Sequence, residues 1–420
     1  MATLELMALD GAARQNGVPA LPTPDSSLGF LRDGYLFGAR RFERVGGDAF
    51  RTRLLGRPVT VMRGADAART FYEGGRFGRE RAIPASVLHL LQDEESVQSL
   101  DGAAHLERKR LFLEQVNAPE SLERARRLLV EEWRGIAGDQ VVLYERINTV
   151  LTGVALRWVG INPSRVDLPA LTTQLTAMIE NAGRFGPQNW AARAMRRSTE
   201  AWAKRVVAAE RTALTGHDTI LGSISSYTED GEVLTPEVAA VELLNVLRPT
   251  VAVGRYIVFA ALALHRRPGW RRAFAGGDLD RIRGFVDEVR RFYPFFPVIG
   301  GRALKEFSWH GHDFRRGDWV LLDLYGTNHD ERLWPDAGKF QPKRFDSFDG
   351  DRNALIPQGG GEQETGHRCP GEQATIDLME QAVVLLATTH YRVPEQDLRV
   401  SLRHFPALPE SGFIMEGVRA

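Results

Sequence analysis

The chain is almost without cysteine. Cys369 is the only thiol among 420 residues, so no internal disulfide can form, and the disulfide-built secreted class is excluded in favour of a reducing, cytoplasmic setting. An excess of charge is also missing. The 54 lysines and arginines balance 54 aspartates and glutamates, leaving no overall electrostatic basis for binding nucleic acid or an anionic membrane, and the partner is expected to be small. Long apolar runs are absent too. The most apolar segment, Val251 to His265, is broken by Gly254 and Arg255 and falls short of the roughly 20 residues a spanning helix needs. Residues Met1 to Asp10 carry acids and no basic cluster ahead of an apolar run, unlike a signal peptide or membrane anchor. There is no repeat of fixed period, low-complexity linker or composition break, so one domain over residues 1–420 is expected.

Helical periodicity dominates what is present. From Ala65 to about Ile224 apolar residues recur at three-to-four spacing, as in Ser121–Ile136 and Ala191–Leu214, which predicts helices. Phe50 to Met62 alternates and turns near Gly56-Arg57-Pro58, predicting a hairpin. Strand character returns in Phe307–Leu324. The fold class is therefore mainly α with small peripheral β-sheets.

Four local features carry chemistry. Cys369 sits in a loop running from Gln358-Gly359-Gly360-Gly361 to Gly366-His367-Arg368-Cys369-Pro370-Gly371-Glu372. Glycines there let several N–H groups point at one sulfur and stabilise a thiolate suited to a metal, although an isolated cysteine is more often inert and buried. Thr235-Pro236-Glu237 is a good helix start, and the helix it opens is apolar nearly all round as far as His265, so it must be buried. Arg248-Pro249 interrupts its middle. Either the helix ends at Leu247 or it continues past Pro249 with a kink and a buried guanidinium that calls for an anion. Glu288 and Arg291, at i and i+3, share a helix face, and Arg344 follows in the aromatic-flanked turn Phe340–Phe345.

The order of these features resembles the cytochrome P450 haem-thiolate fold. The resemblance implies haem b with Cys369 as its axial thiolate and iron ligand, and Glu288, Arg291 and Arg344 as a structural triad bracing the cysteine loop. Conventional members carry an acid-alcohol pair where this chain has Arg248-Pro249, and a Phe-Gly pair where it has the extended glycine stretch. Both departures resemble the bacterial fatty-acid peroxygenase branch, as do Arg53-Leu54-Leu55-Gly56, Leu100–Lys109, Asp323–Asp330 and Leu408–Phe413.

That branch implies hydroxylation of long-chain fatty acids by hydrogen peroxide at the alpha and/or beta carbon, with some decarboxylation to alkenes. No redox partner, nucleic acid or membrane anchor is implied. Arg248 and Pro249 would form the catalytic centre. The arginine would hold the substrate carboxylate as a planar fork, and the carboxylate would supply the missing acid-base group. Gln98 stands where hydroxylating members of the branch carry glutamine. Gln92, followed by Asp93-Glu94-Glu95, replaces an aromatic of the pocket wall. His105, Lys109, His367 and Arg79 are nominated for the haem propionates, and Phe295, Phe296 and Val298 for the acyl channel. Two alternatives remain: a conventional monooxygenase fed by separate redox proteins, and a non-catalytic haem-thiolate sensor. His310-x-His312 lacks a third metal ligand, and the triple glycine lacks the Gly-Lys-Ser/Thr of a phosphate loop.

Overall fold

The computed structural model of the protein describes residues 17–93, 95–213 and 218–420. The acidic opening Met1–Asp10, Glu94 and Leu214 lie outside them. Helices α1 (Ser27–Asp33) and α2 (Phe37–Val45) precede the expected hairpin of β1 (Ala49–Leu54) and β2 (Arg57–Met62). Its two-residue turn has positive φ at both Leu55 (53°) and Gly56 (72°), which matches the right-handed twist of the paired strands. The chain continues through α3 (Ala65–Tyr72), β3 (Phe77–Gly78), α4 (Ala85–Leu91), α5 (Gly102–Val116) and α6 (Pro119–Glu132). Next come β4 (Gly138–Val142), α7 (Leu143–Val159), α8 (Leu168–Asn181), α9 (Pro187–Ala213), α10 (Ile220–Ser226), and β5 and β6 (Thr228–Glu229 and Glu232–Val233). Two short strands, β3 and β4, thus interrupt a region whose periodicity predicts helix alone. They are too short to show alternation.

The central element is α11 (Pro236–Arg266), followed by α12 (Pro268–Ala275) and α13 (Ile282–Phe292). Strands β7 (Val298–Ala303), β8 (Phe307–Trp309), β9 (His312–Phe314) and β10 (Trp319–Asp323) lead to α14 (Leu324–Asn328), then α15 (Glu372–Thr388), β11 (His390–Arg392) and β12 (Ile414–Arg419). One sheet has the order β1-β2-β10-β7-β3, a second β11-β12-β4. Strand β10 runs parallel to β2, with Val320 opposite Thr60, and antiparallel to β7, with Trp319 opposite Arg302. The first sheet carries its own apolar clusters beside the helical core, as the patterning predicts, while the second packs Val141, Met415 and Val418 against that core.

Thr235 caps α11, its hydroxyl accepting from Val238 N at 3.2 Å, and Pro236 occupies the first turn, where a missing N–H costs nothing. The helix does not end at Leu247; it is continuous through Pro249. Tertiary burial explains this, because Leu244, Leu247, Val251, Ile257 and Leu262 on several faces are fully buried, each worth about 1.5–3 kcal/mol. Gly254 marks the close approach of α11 to α7: a Cβ there would lie 2.5 Å from Asn148 Oδ1 and 3.2 Å from Ile147 Cγ2. The helix is long and apolar enough to cross a membrane, but 89% of its most apolar stretch is buried inside the protein.

Candidate active site

A cavity of about 430 Å³ runs beside α11 and is lined by Cys369, Gln358 and Thr375 as well as Arg248, Pro249, Gln98 and Gln92. Cys369 is half-buried and free. The turn around it is held by Cys369 N donating to Gln358 O and Glu372 N donating to Cys369 O, both at 3.3 Å. Burial, and secondarily the Glu372 carboxylate, push the thiol up to about 11, while the Gly371 N–H, Lys109 and Arg290 pull against them. A buried thiol of this kind becomes a thiolate readily once a cation binds the sulfur. The loop and its single sulfur at the cavity wall would therefore fit a thiolate ligand to a metal. The glycine stretch has a packing cause: a Cβ on Gly361 would lie 2.6 Å from Tyr72 Cβ, so the ring at the end of α3 can lie against the loop only if side chains are absent.

The three residues expected to brace this loop meet. Arg291 Nε and Nη2 donate to the two Glu288 oxygens at 2.7 and 2.8 Å, and Arg344 Nε lies 3.2 Å from Glu288 Oε2. Gln341 N donates to the same carboxylate at 2.6 Å. The remaining Arg291 hydrogens reach the carbonyls of Asn328 and Ala337 at 2.8 and 3.1 Å. Glu288 and Arg291 are 0% and 1% exposed, far from the solvated i, i+3 pair that is the commoner outcome of that spacing.

Arg248 differs. Its Nη2 donates to Leu91 O and, at 2.8 Å, to Asn245 Oδ1. Its Nη1 is buried with no hydrogen-bond partner among the described residues. Burial, together with the nearby Arg196 charge, pulls the guanidinium down to about 9, so it remains a cation at neutral pH. The symmetric fork expected from sequence is thus not what is offered, because both Nη2 hydrogens are already committed. Arg248 lines the cavity, and Nη1 is the nitrogen it leaves without a partner among the described residues. Gln98 Oε1 is likewise buried without a partner and lines the same cavity.

A polar chain behind Arg248 was not visible in the sequence. Asn245 Nδ2 donates to Glu242 Oε2 at 2.9 Å, and Glu242 Oε1 accepts from Val97 N at 2.8 Å and lies 3.3 Å from Arg108 Nη1. Residues 242, 245 and 248 recur every three positions along one helix face, which is the signal that could have revealed them. Burial raises the Glu242 carboxyl above the usual range, opposed by Asn245, Arg108 and the Val97 N–H. Since all these neighbours donate, Glu242 acts as a two-sided acceptor. The same arginine-rich scaffold grips the segment containing Gln92: Arg196 Nη2 reaches Gln92 O at 3.3 Å and Asp93 Oδ2 at 3.1 Å, and Arg108 Nη1 reaches Glu95 O.

The four residues nominated for propionates gather around Asp101 and the cysteine loop, outside the cavity lining itself. His105 and His367 stack at 3.9 Å, His367 Nε2 lies 3.2 Å from Asp101 Oδ1, and Asp101 also accepts from Arg79 N at 2.9 Å. Burial keeps both imidazoles neutral, His105 at about 3 and His367 at about 4. Lys109 Nζ is already engaged by the carbonyls of Gly366 and Arg368, so it ties α5 to the loop. Arg79 Nη1 donates to Gly300 O at 2.6 Å. Phe295, Phe296 and Val298 all line the cavity, with Phe295 stacked on Tyr256 at 4.2 Å. Among the described residues no group of three His, Cys, Asp or Glu could hold a metal, so His310 and His312 form no site.

Comparison with known proteins agrees with this geometry. The sequence model of the Cytochrome P450 family matches residues 278–386. Rhazimal synthase of Alstonia scholaris is 28% identical over 183 residues, which is 38% of this chain but only 35% of that protein. Solved structures match almost end to end. Cytochrome P450EX alpha with myristic acid is 38% identical, with 96% of this chain and 99% of that one covered at a TM-score of 0.92. Cytochrome P450SP alpha is 39% identical, with 94% and 99% covered at 0.91. Cytochrome P450 OleT, as a variant in complex with arachidonic acid, is 31% identical, with 96% and 98% covered at 0.91. Family membership implies a haem-thiolate centre, for which Cys369 is the only cysteine in the sequence. The chain belongs to the cytochrome P450 family, where it closely matches the CYP152 members.

Proposed function

We propose that the protein uses hydrogen peroxide to hydroxylate long-chain fatty acids at the alpha and/or beta carbon, releasing water. The observation that carries this reading is Arg248, which lines the same cavity as Cys369 and whose buried Nη1 has no partner among the described residues. A cation so placed favours an anionic ligand, since an unpaired buried charge is costly, and relatives of this chain are described in complex with myristic and arachidonic acids.

A haem bound through Cys369 would supply peroxide activation and oxidation of the C–H bond. The protein's residues do the rest. Arg248 Nη1 binds the carboxylate, and Gln98, whose amide can turn either face to it, provides the second polar contact. Leu91, Val97, Phe295, Phe296 and Val298 give the acyl chain an apolar wall and exclude water. Pinned by its head group, the acid presents its first carbons for oxidation. Its carboxylate takes a proton from hydrogen peroxide and returns it to the departing oxygen, a role that in conventional members falls to a protein acid-alcohol pair. Such acid-base assistance contributes typically about 10²–10⁴-fold.

The test is product analysis after purified holoprotein meets a long-chain fatty acid and hydrogen peroxide with no reductase or nicotinamide. Hydroxy acids oxidised next to the carboxyl group are expected. Absence of both hydroxy acid and alkene would overturn the reading.

A further inference from the structure

We propose that Gln358 donates a side-chain hydrogen bond to the Cys369 sulfur and thereby tunes how strongly the thiolate donates to a bound haem iron. Its main chain already accepts from Cys369 N at 3.3 Å, so one residue contacts the cysteine at both ends. The inference rests on family membership and the local geometry, not on which substrate the cavity takes.

The orientation of a glutamine amide is ordinarily an assignment and not an observation. Here chemistry fixes it. Arg290 Nε and Nη2 approach one end of the amide at 3.3 and 3.2 Å, and a guanidinium can only donate, so that end is Oε1. The other end is therefore the NH₂ group. Nε2 lies 3.2 Å from Thr375 Oγ1 and 3.9 Å from Cys369 Sγ. The Thr375 hydroxyl donates to Gly371 O at 3.1 Å, which leaves its lone pairs for Nε2. One amide hydrogen goes to the threonine and the second faces the sulfur.

Arg290 cannot turn away. It is 1% exposed, donates to Asp287 Oδ1 at 2.7 Å and pairs with Glu372. Its charge polarises the amide and strengthens the N–H as a donor. Hydrogen bonds to a metal-bound sulfur are among the protein's levers on a haem centre. A donor there withdraws electron density from sulfur, making the ferrous state easier to reach and the iron–sulfur bond weaker. Gln358 stands at the start of the glycine loop, where its amide brings a donor towards the sulfur that an apolar side chain would not offer.

The test uses the holoenzyme and reads the cofactor directly. In Gln358→Leu the iron–sulfur stretch should rise in frequency, the ferric/ferrous potential should become more negative, and the reduced carbon-monoxide band should move to longer wavelength. Gln358→Glu, equal in size, still accepts from Arg290 but offers no donor to Thr375 or to the sulfur, so it should shift in the same direction. Gln358→Asn, one methylene shorter, should fall between native and Leu. Unchanged stretch and potential in the Leu and Glu variants would overturn the proposal, as would a shift of opposite sign. Failure of all three to take up haem would also overturn it, because the amide would then be a determinant of assembly and not of tuning.

Discussion

Two buried arginines of this protein, Arg291 and Arg248, are almost equally hidden, at 1% and 3% exposure, yet their surroundings are opposite. Arg291 has a carboxylate on two of its nitrogens and backbone carbonyls on the rest. Arg248 has a carbonyl and an amide oxygen on Nη2 and nothing on Nη1 among the described residues. A buried ion pair with every donor used holds neighbouring elements in register, here α13 against the turn containing Arg344. On the proposed reading, the buried cation with one donor left over, at the wall of the cavity, is the place for the ligand. The contrast separates the role of a guanidinium from its burial, and hydrogen-bond accounting decides the role.

The sharpest way to break the comparison is to delete the arginine with the open donor. Arg248→Ala should lower turnover of fatty acid with peroxide by about 10²–10⁴-fold, the scale of lost acid-base assistance, while the reduced carbon-monoxide band stays that of a thiolate haem and the unfolding midpoint does not fall. Retained turnover would mean that the carboxylate is held elsewhere.

The reverse pattern is expected at the satisfied pair. Glu288→Ala strands Arg291 as an uncompensated buried charge and should cost about 3–5 kcal/mol of stability, read by chemical denaturation, with poor haem retention. A stable, fully loaded variant would show that the carbonyl partners of Arg291 suffice without the carboxylate.

A smaller effect is expected from the chain that aims Arg248. Glu242→Gln places an NH₂ where Glu242 Oε2 now accepts from Asn245. Asn245 can then flip to present its oxygen, which turns its NH₂ towards Arg248 Nη2 and removes that acceptor. Loss of one charged hydrogen bond is worth about 1.5–3 kcal/mol, so KM for fatty acid should rise roughly tenfold or more, with kcat changed less. An equal fall in kcat at constant KM would place Glu242 in the chemistry and not in positioning.

Much of this contrast was legible before the structure, because each feature breaks a local rule. Pro249 inside an apolar helix, a lone cysteine among glycines, and an acid three residues before an arginine in a helix all stand out against the pattern around them. The ending of α11 could not be read, since an Arg-Pro pair stops a helix unless tertiary burial outweighs the lost hydrogen bond. The engagement of Arg248 Nη2 was equally hidden: its acceptor, Leu91 O, is a backbone atom 157 positions away that no side-chain pattern encodes. The Arg108 contact to Glu242 depends on how α5 crosses α11. Strands β11 and β12 escaped for a related reason, as their pairing with β4 joins segments from distant parts of the chain.

The anchoring of Arg248 to Leu91 and Asn245 has one more consequence. The guanidinium is held by these two bonds from the protein itself, so on the proposed reading binding a carboxylate demands little further ordering of the protein at that point. On the proposed reading, the acid-base group arrives and leaves with the substrate, and between turnovers the centre is left without it. Oxidant meeting the substrate-free enzyme would then find no base to start the reaction, so the fatty acid acts as the enzyme's ignition as well as its fuel.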